Sequence, residues 1–212
     1  MSAQLLWSRL KKQYPVGKPF LRFDNPLESI VATILSAQCT DDQVNRVTPA
    51  LFKKYKSCGA FLNVPIEELE ADIKSTGFFH NKTKNIRGMC SAVLDKFSGR
   101  IPDTMEELLA LPGIGRKTAN VVLSQAFGKI EGVVVDTHVA RLSGRLGLSK
   151  ESDPVKIERD LMNLFPKKDW YALSMVLIRH GRALCIARKP RCPDCFLEDL
   201  CPYPDKTTVC RS

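Results

Sequence analysis

The densest chemical signal is four cysteines near the C-terminal end, Cys185, Cys192, Cys195 and Cys201, separated by six, two and five residues. Thiolates this close, with Pro190, Pro193 and Pro202 bending the loops between them, call for a soft metal centre. Tetrahedral zinc and a four-iron, four-sulfur cubane both meet that need. A zinc ribbon pairs two Cys-x2-Cys knuckles, and only Cys192 and Cys195 form one here, so the wider gaps suit the cubane better. Arg188, Lys189 and Arg191 lie between the first ligands and could either balance the thiolate charge or project towards a DNA backbone. The second signal is Leu111-Pro-Gly-Ile-Gly-Arg-Lys-Thr-Ala-Asn120. Gly113 and Gly115 fit a tight turn between two helices, leaving free N–H groups at a positive helix start where a phosphate can dock. An ordinary helix-helix connection uses the same residues. Lys117 in the first helical turn, with Arg116 beside it, favours the functional reading.

Apolar spacing of three and four residues sets the elements that must position these groups. It predicts helices over 2–14, 26–37, 40–55, 66–73, 81–97, 104–111, 117–127, 137–146, 154–165 and 170–184. Pro49 is expected to kink or split the third. Thr104 reads as an N-cap, with Glu107 completing a capping box. Gly132-Val-Val-Val135 is the only β-like run and is too short for a sheet. The expectation is an all-α protein. The first helix, cut off by Pro15, Gly17 and Pro19, is expected to pack with the C-terminal helices, making one domain discontinuous.

The chain of 212 residues carries a formal charge of +9, from 32 Lys and Arg against 23 Asp and Glu. That balance favours a polyanionic partner, and dispersal of the basic residues favours a folded binding face over a disordered arm. Neither a signal peptide nor a membrane span is expected. Cys39, Cys58, Cys90 and Cys210 are scattered, whereas the clustered four, with no export signal expected, read as metal ligands and not disulfides.

The hairpin Leu111–Asn120, then Val135-Asp-Thr-His-Val139, then the four cysteines resemble the helix-hairpin-helix DNA glycosylases. Leu35-Ser-Ala-Gln-Cys-Thr-Asp41 and His180-Gly-Arg182 extend the resemblance over nearly the whole chain. Any one motif could arise by chance; their joint order and spacing do not. The resemblance is to the bifunctional branch, which excises a damaged base from duplex DNA and cleaves the abasic site. It implies two helical domains with a DNA groove between them, a six-helix domain at 19–129 and a second domain of 1–18 plus 130–212. The second domain would hold a [4Fe-4S] cluster on Cys185, Cys192, Cys195 and Cys201. A monomer working on chromosomal DNA in the cytoplasm follows.

By this resemblance Lys117 is the nucleophile and Asp136 the catalytic carboxylate. A free lysine titrates at about 10.4, and attack on a sugar carbon needs the neutral amine. The helix start, Arg116 and partial burial would each favour that form. Asp136 is equally suited by position to be a plain N-cap. Gln38 aligns with the glutamine that fills the gap left by an extruded nucleotide. Phe78 stands where the family presents a leucine wedge, and is either a wedge or core. His138 is placed near DNA, with a structural hydrogen bond preferred over catalysis. Gly113 and Gly115 would share a monovalent cation with the DNA phosphate. The neighbouring branch, specific for adenine in mismatches, lacks the hairpin lysine and carries a glutamate ahead of its glutamine motif. Here that turn reads Thr33-Ile-Leu-Ser36. A non-catalytic DNA-binding iron-sulfur protein is the remaining alternative, opposed by retention of Lys117 and Asp136.

Overall fold

The structure, a computed structural model, describes residues 3–207, so Cys210 lies outside the described residues. Among these are eleven α-helices and no strand, as expected of an all-α chain. Contacts divide the chain into two compact units, Lys18–Glu131 and the pair Met1–Gly17 with Gly132–Ser212. No described helix is long and apolar enough to cross a membrane.

Helix α1 spans Ala3–Gln13 and belongs to the discontinuous unit. The continuous unit contains α2 (Pro26–Leu35), α3 (Asp41–Lys54), α4 (Cys58–Asn63), α5 (Ile66–Ile73), α6 (Phe79–Phe97), α7 (Met105–Leu109) and α8 (Arg116–Ala126). Helix α2 starts on Asn25, whose side chain accepts from the Glu28 N–H, with Pro26 filling the first helical position. From Ser29 to Leu35 every residue of α2 is buried, which makes it the central rod of this unit. Ile30, Val31 and Leu35 are fully enclosed, each contributing roughly 2 kcal/mol of burial. Helix α8 packs against α2 through this core, where Ala119, Val122 and Leu123 are buried.

Three local expectations change. Pro49 neither splits nor ends α3, which runs through it. The short helix α4, with Cys58 and Phe61 buried, carries too little periodicity to be read from sequence. The capping box at Thr104 is rearranged. Its hydroxyl accepts from the Glu107 N–H at 3.3 Å and donates to the Glu107 carboxylate at 2.8 Å.

The discontinuous unit adds α9 (Thr137–Arg145), α10 (Pro154–Leu164) and α11 (Trp170–Ala183) to α1. Helix α11 touches both α1 and α9, and Trp7 meets Phe165 edge-on at 6.2 Å. Val133, Val134 and Val135 are buried without forming a strand, so the β-like run is an extended lead-in to α9.

Candidate functional site

The hairpin is built as its glycines require. Gly113 sits at φ +75°, and a Cβ there would come within 2.9 Å of the Asn85 side chain of α6. Gly115 instead has an extended backbone, φ −94° and ψ 172°, and a Cβ there would meet open space. Gly115 caps α8 with no side-chain hydrogen bond, so no N-cap side chain competes for the N–H groups at the helix start. The two glycines therefore do different work. Gly113→Ala is expected to cost about 2 kcal/mol through left-handed strain and the Asn85 clash. Gly115→Ala should cost less, about 0.7 kcal/mol, the difference between glycine and alanine as an N-cap. Thermal unfolding of the two variants checks the contrast, and a further loss of DNA affinity confined to Gly115→Ala would report close phosphate approach.

Arg116 and Lys117 occupy the first turn of α8, Arg116 half-buried and Lys117 exposed. The expected partial burial of Lys117 is thus not found; the first turn projects from the core that holds the rest of α8. Gln38 and Phe78 lie in the same unit, on turns that follow α2 and precede α6. Both adopt left-handed backbone, φ 52° and 48°, which is costly for side chains of this kind. Phe78 is 60% exposed, so it is not core. Gln38 is exposed as well.

Asp136, in the other unit, is the N-cap of α9, and its Oδ1 accepts from the Val139 N–H at 2.8 Å. His138 lies one turn on, where Arg141 Nη2 is 3.2 Å from its Nδ1 and Gly181 of α11 packs against the ring. Burial is the main cause holding its pKa below the usual histidine range, with Arg141 and Arg182 adding to it and Asp136 opposing. These contacts favour the structural role for His138.

The four cysteine side chains line one cavity together with Leu146, His180, Leu184 and Tyr203. Among the described residues no three His, Cys, Asp or Glu side chains gather closely enough for a single ion. Burial, with the neighbouring thiols adding, pushes the Cys195 thiol up to about 11. His180 Nε2 lies 3.7 Å from Cys195 Sγ, and Tyr14, the residue after α1, meets His180 Nδ1 at 3.2 Å.

Two arginines of α9 hold the start of this loop, and sequence reasoning missed them. Arg141 donates to the carbonyls of Gly181 and Cys185, and Arg145 to Cys185 Sγ at 3.4 Å and the carbonyls of Ile186 and Ala187. Their separation by one helical turn on the helix that follows Asp136 was the available signal. The three cations of the loop do not act alike. Arg188 and Lys189 are exposed, whereas Arg191 pairs with Asp194 at 2.9 Å, which makes it a brace of the loop before a DNA contact. On the far side of the loop, Arg9 of α1 bonds the Phe196 carbonyl and the Asp199 carboxylate.

Residues 31–167 match the profile described as HhH-GPD superfamily base excision DNA repair protein. Endonuclease III of Synechocystis sp. is 56% identical over 193 residues, covering 91% of this chain and 88% of its own. A solved non-covalent endonuclease III–DNA complex is 43% identical, with a TM-score of 0.90, covering 94% of this chain and 93% of its own. A trapped endonuclease III–DNA covalent intermediate, also 43% identical, superimposes with a TM-score of 0.89 over 94% of each chain. The chain belongs to the HhH-GPD superfamily of base excision DNA repair proteins and, within it, to the endonuclease III family.

Proposed function

We propose that the protein is a DNA glycosylase and abasic-site lyase that removes oxidised, ring-saturated or fragmented pyrimidines from duplex DNA. The observation that carries this reading is Lys117, exposed in the first turn of a helix whose start has no side-chain cap and whose remainder is locked into the core. A relative trapped covalently on DNA supports the same chemistry.

The neutral Lys117 amine attacks C1′ of the damaged nucleotide, and the base departs with a proton. Asp136, whose Oδ1 caps α9, stabilises the cationic sugar through the negative charge of its carboxylate. The C1′–O4′ bond then breaks, O4′ taking up a proton from solvent, and the resulting Schiff base acidifies C2′. Loss of a C2′ proton breaks the C3′–O bond, the 3′ phosphate leaves, and water then frees Lys117. Gln38 fills the vacated space and Phe78 wedges the stack, since the base must leave the duplex to react. The uncapped start of α8 binds phosphate, and a monovalent cation is shared between the hairpin carbonyls and the DNA. Arg188 and Lys189 contact the DNA backbone.

Cys185, Cys192, Cys195 and Cys201 fit a [4Fe-4S] cluster. All four line one cavity, as the thiolate ligands of a single centre of several metal atoms would. When bound, such a cluster cross-links the loop and fixes its shape.

The test is a duplex carrying one thymine glycol, incubated with the protein and borohydride. A covalent protein–DNA adduct is expected, with strand cleavage when borohydride is omitted. No adduct from intact protein would overturn the lyase mechanism, and excision confined to mismatched adenine would overturn the substrate class.

A further inference from the structure

Lys82 of α6 is only 3% exposed and lies in the core of the continuous unit. Its ammonium donates to the Leu35 carbonyl and the Thr76 carbonyl, both at 2.8 Å. Leu35 is the last residue of α2, and Thr76 ends the 3-10 turn Lys74–Thr76. Each carbonyl belongs to the negative end of a helical segment, where a cation is favourable. Each also lies just ahead of a strained residue. Gln38 follows Leu35 by three positions and Phe78 follows Thr76 by two, and both hold left-handed backbone.

Left-handed conformation at a glutamine and a phenylalanine persists only where the surroundings over-determine it. Here one buried charge fastens both turns from beneath. A second tie runs nearby, from Gln43 Nε2 of α3 to Ser75 Oγ at 2.9 Å. Cys39, beside Gln38, is half-buried against the same core. We infer that Lys82 is a positioning residue for duplex opening, setting Gln38 and Phe78 at a fixed separation so that the gap-filler and the wedge enter the stack together. This rests on the reading of Gln38 and Phe78 given under the proposed function.

Lys82→Met keeps an unbranched side chain one atom shorter and removes both bonds. Two substrates separate the outcomes: a thymine glycol duplex, and a single strand carrying an abasic site, which has neither base to extrude nor gap to fill. Single-turnover excision from the duplex should fall by about 30-fold, with cleavage of the single strand within about threefold. In a Gln38→Ala/Phe78→Ala background, adding Lys82→Met should cost less than about threefold more, because the residues it positions are gone. Lys82→Arg, still a charged donor to two carbonyls, should recover most of the duplex activity. Equal losses on both substrates, or full additivity in the double-variant background, overturn the proposal. Should Lys82→Met not fold, Lys82→Gln, which reaches at most one carbonyl, serves in the same comparison. Unfolding of the chain with both substitutions also overturns it, since the lysine would then support the whole unit. If Gln38→Ala/Phe78→Ala by itself excises as well as the parent, the reading of those two residues fails, whatever Lys82 does.

Discussion

Lys117→Gln is expected to abolish the borohydride-trapped adduct and to lower strand cleavage at an abasic site by about a thousandfold or more. The substitution removes the only group assigned to bond C1′, and no carboxamide can form a Schiff base. Folding should be unaffected, because Lys117 is exposed and the buried face of α8 is carried by Ala119, Val122 and Leu123. Glutamine is a good helix former, so helix propensity changes little. Affinity for an abasic-site analogue should survive, since docking uses the backbone of the hairpin and the first turn of α8. Retained binding with lost trapping separates the nucleophile from the phosphate cradle. Trapping that survives in Lys117→Gln would move the nucleophile to another amine.

Asp136 calls for two variants, because the residue does two things. As N-cap of α9 it satisfies the Val139 N–H, a bond worth about 1 kcal/mol. As a carboxylate it stabilises positive charge on the sugar. Asparagine caps a helix nearly as well as aspartate but carries no charge. Asp136→Asn is therefore expected to unfold within about 0.5 kcal/mol of the parent and to excise thymine glycol about 100- to 1000-fold more slowly. Asp136→Ala should show the same catalytic loss and an added destabilisation of about 1 kcal/mol. Equal rates in Asp136→Asn and the parent would reduce the residue to its cap. Denaturant unfolding alongside single-turnover excision gives both readouts from one preparation.

The sequence alone makes the helical scaffold legible because apolar spacing along α2, α6 and α8 is regular. The hairpin is legible because two closely spaced glycines separate helical patterns, one of them, Gly113, at a position that excludes a side chain. Asp136 illustrates a limit of another kind. Its type and position admit a cap or a catalytic carboxylate, and the structure places it as the cap without removing the other role. Phe78 was ambiguous because one aromatic beside another, Phe79, has no periodicity to decide which points inward; the left-handed turn places Phe78 outside and Phe79 against the core. Lys82, Arg141 and Arg145 were invisible for a common reason. Each bonds main-chain carbonyls distant in sequence, and a carbonyl leaves no trace in residue type. The expected burial of Lys117 failed because a helix start that projects from its core cannot also be enclosed by it.

The bonds from Arg9 and Tyr14 to Phe196, Asp199 and His180 set an order of events as well as a fold. Helix α1 is made before the continuous unit, yet Leu6, Trp7 and Leu10 are buried in a unit whose other helices are made after it. The segment Lys18–Glu131 emerges complete in between and has its own core to collapse upon. Helix α1 must therefore wait, apolar face uncovered, until α11 and the cysteine loop are synthesised. Closure of its unit spans a separation of more than 160 residues, as the Tyr14–His180 bond records. Such non-local contacts form slowly. The discontinuous unit is thus the later of the two to close, and the cysteine loop can acquire its final shape only once α1 and α11 have met.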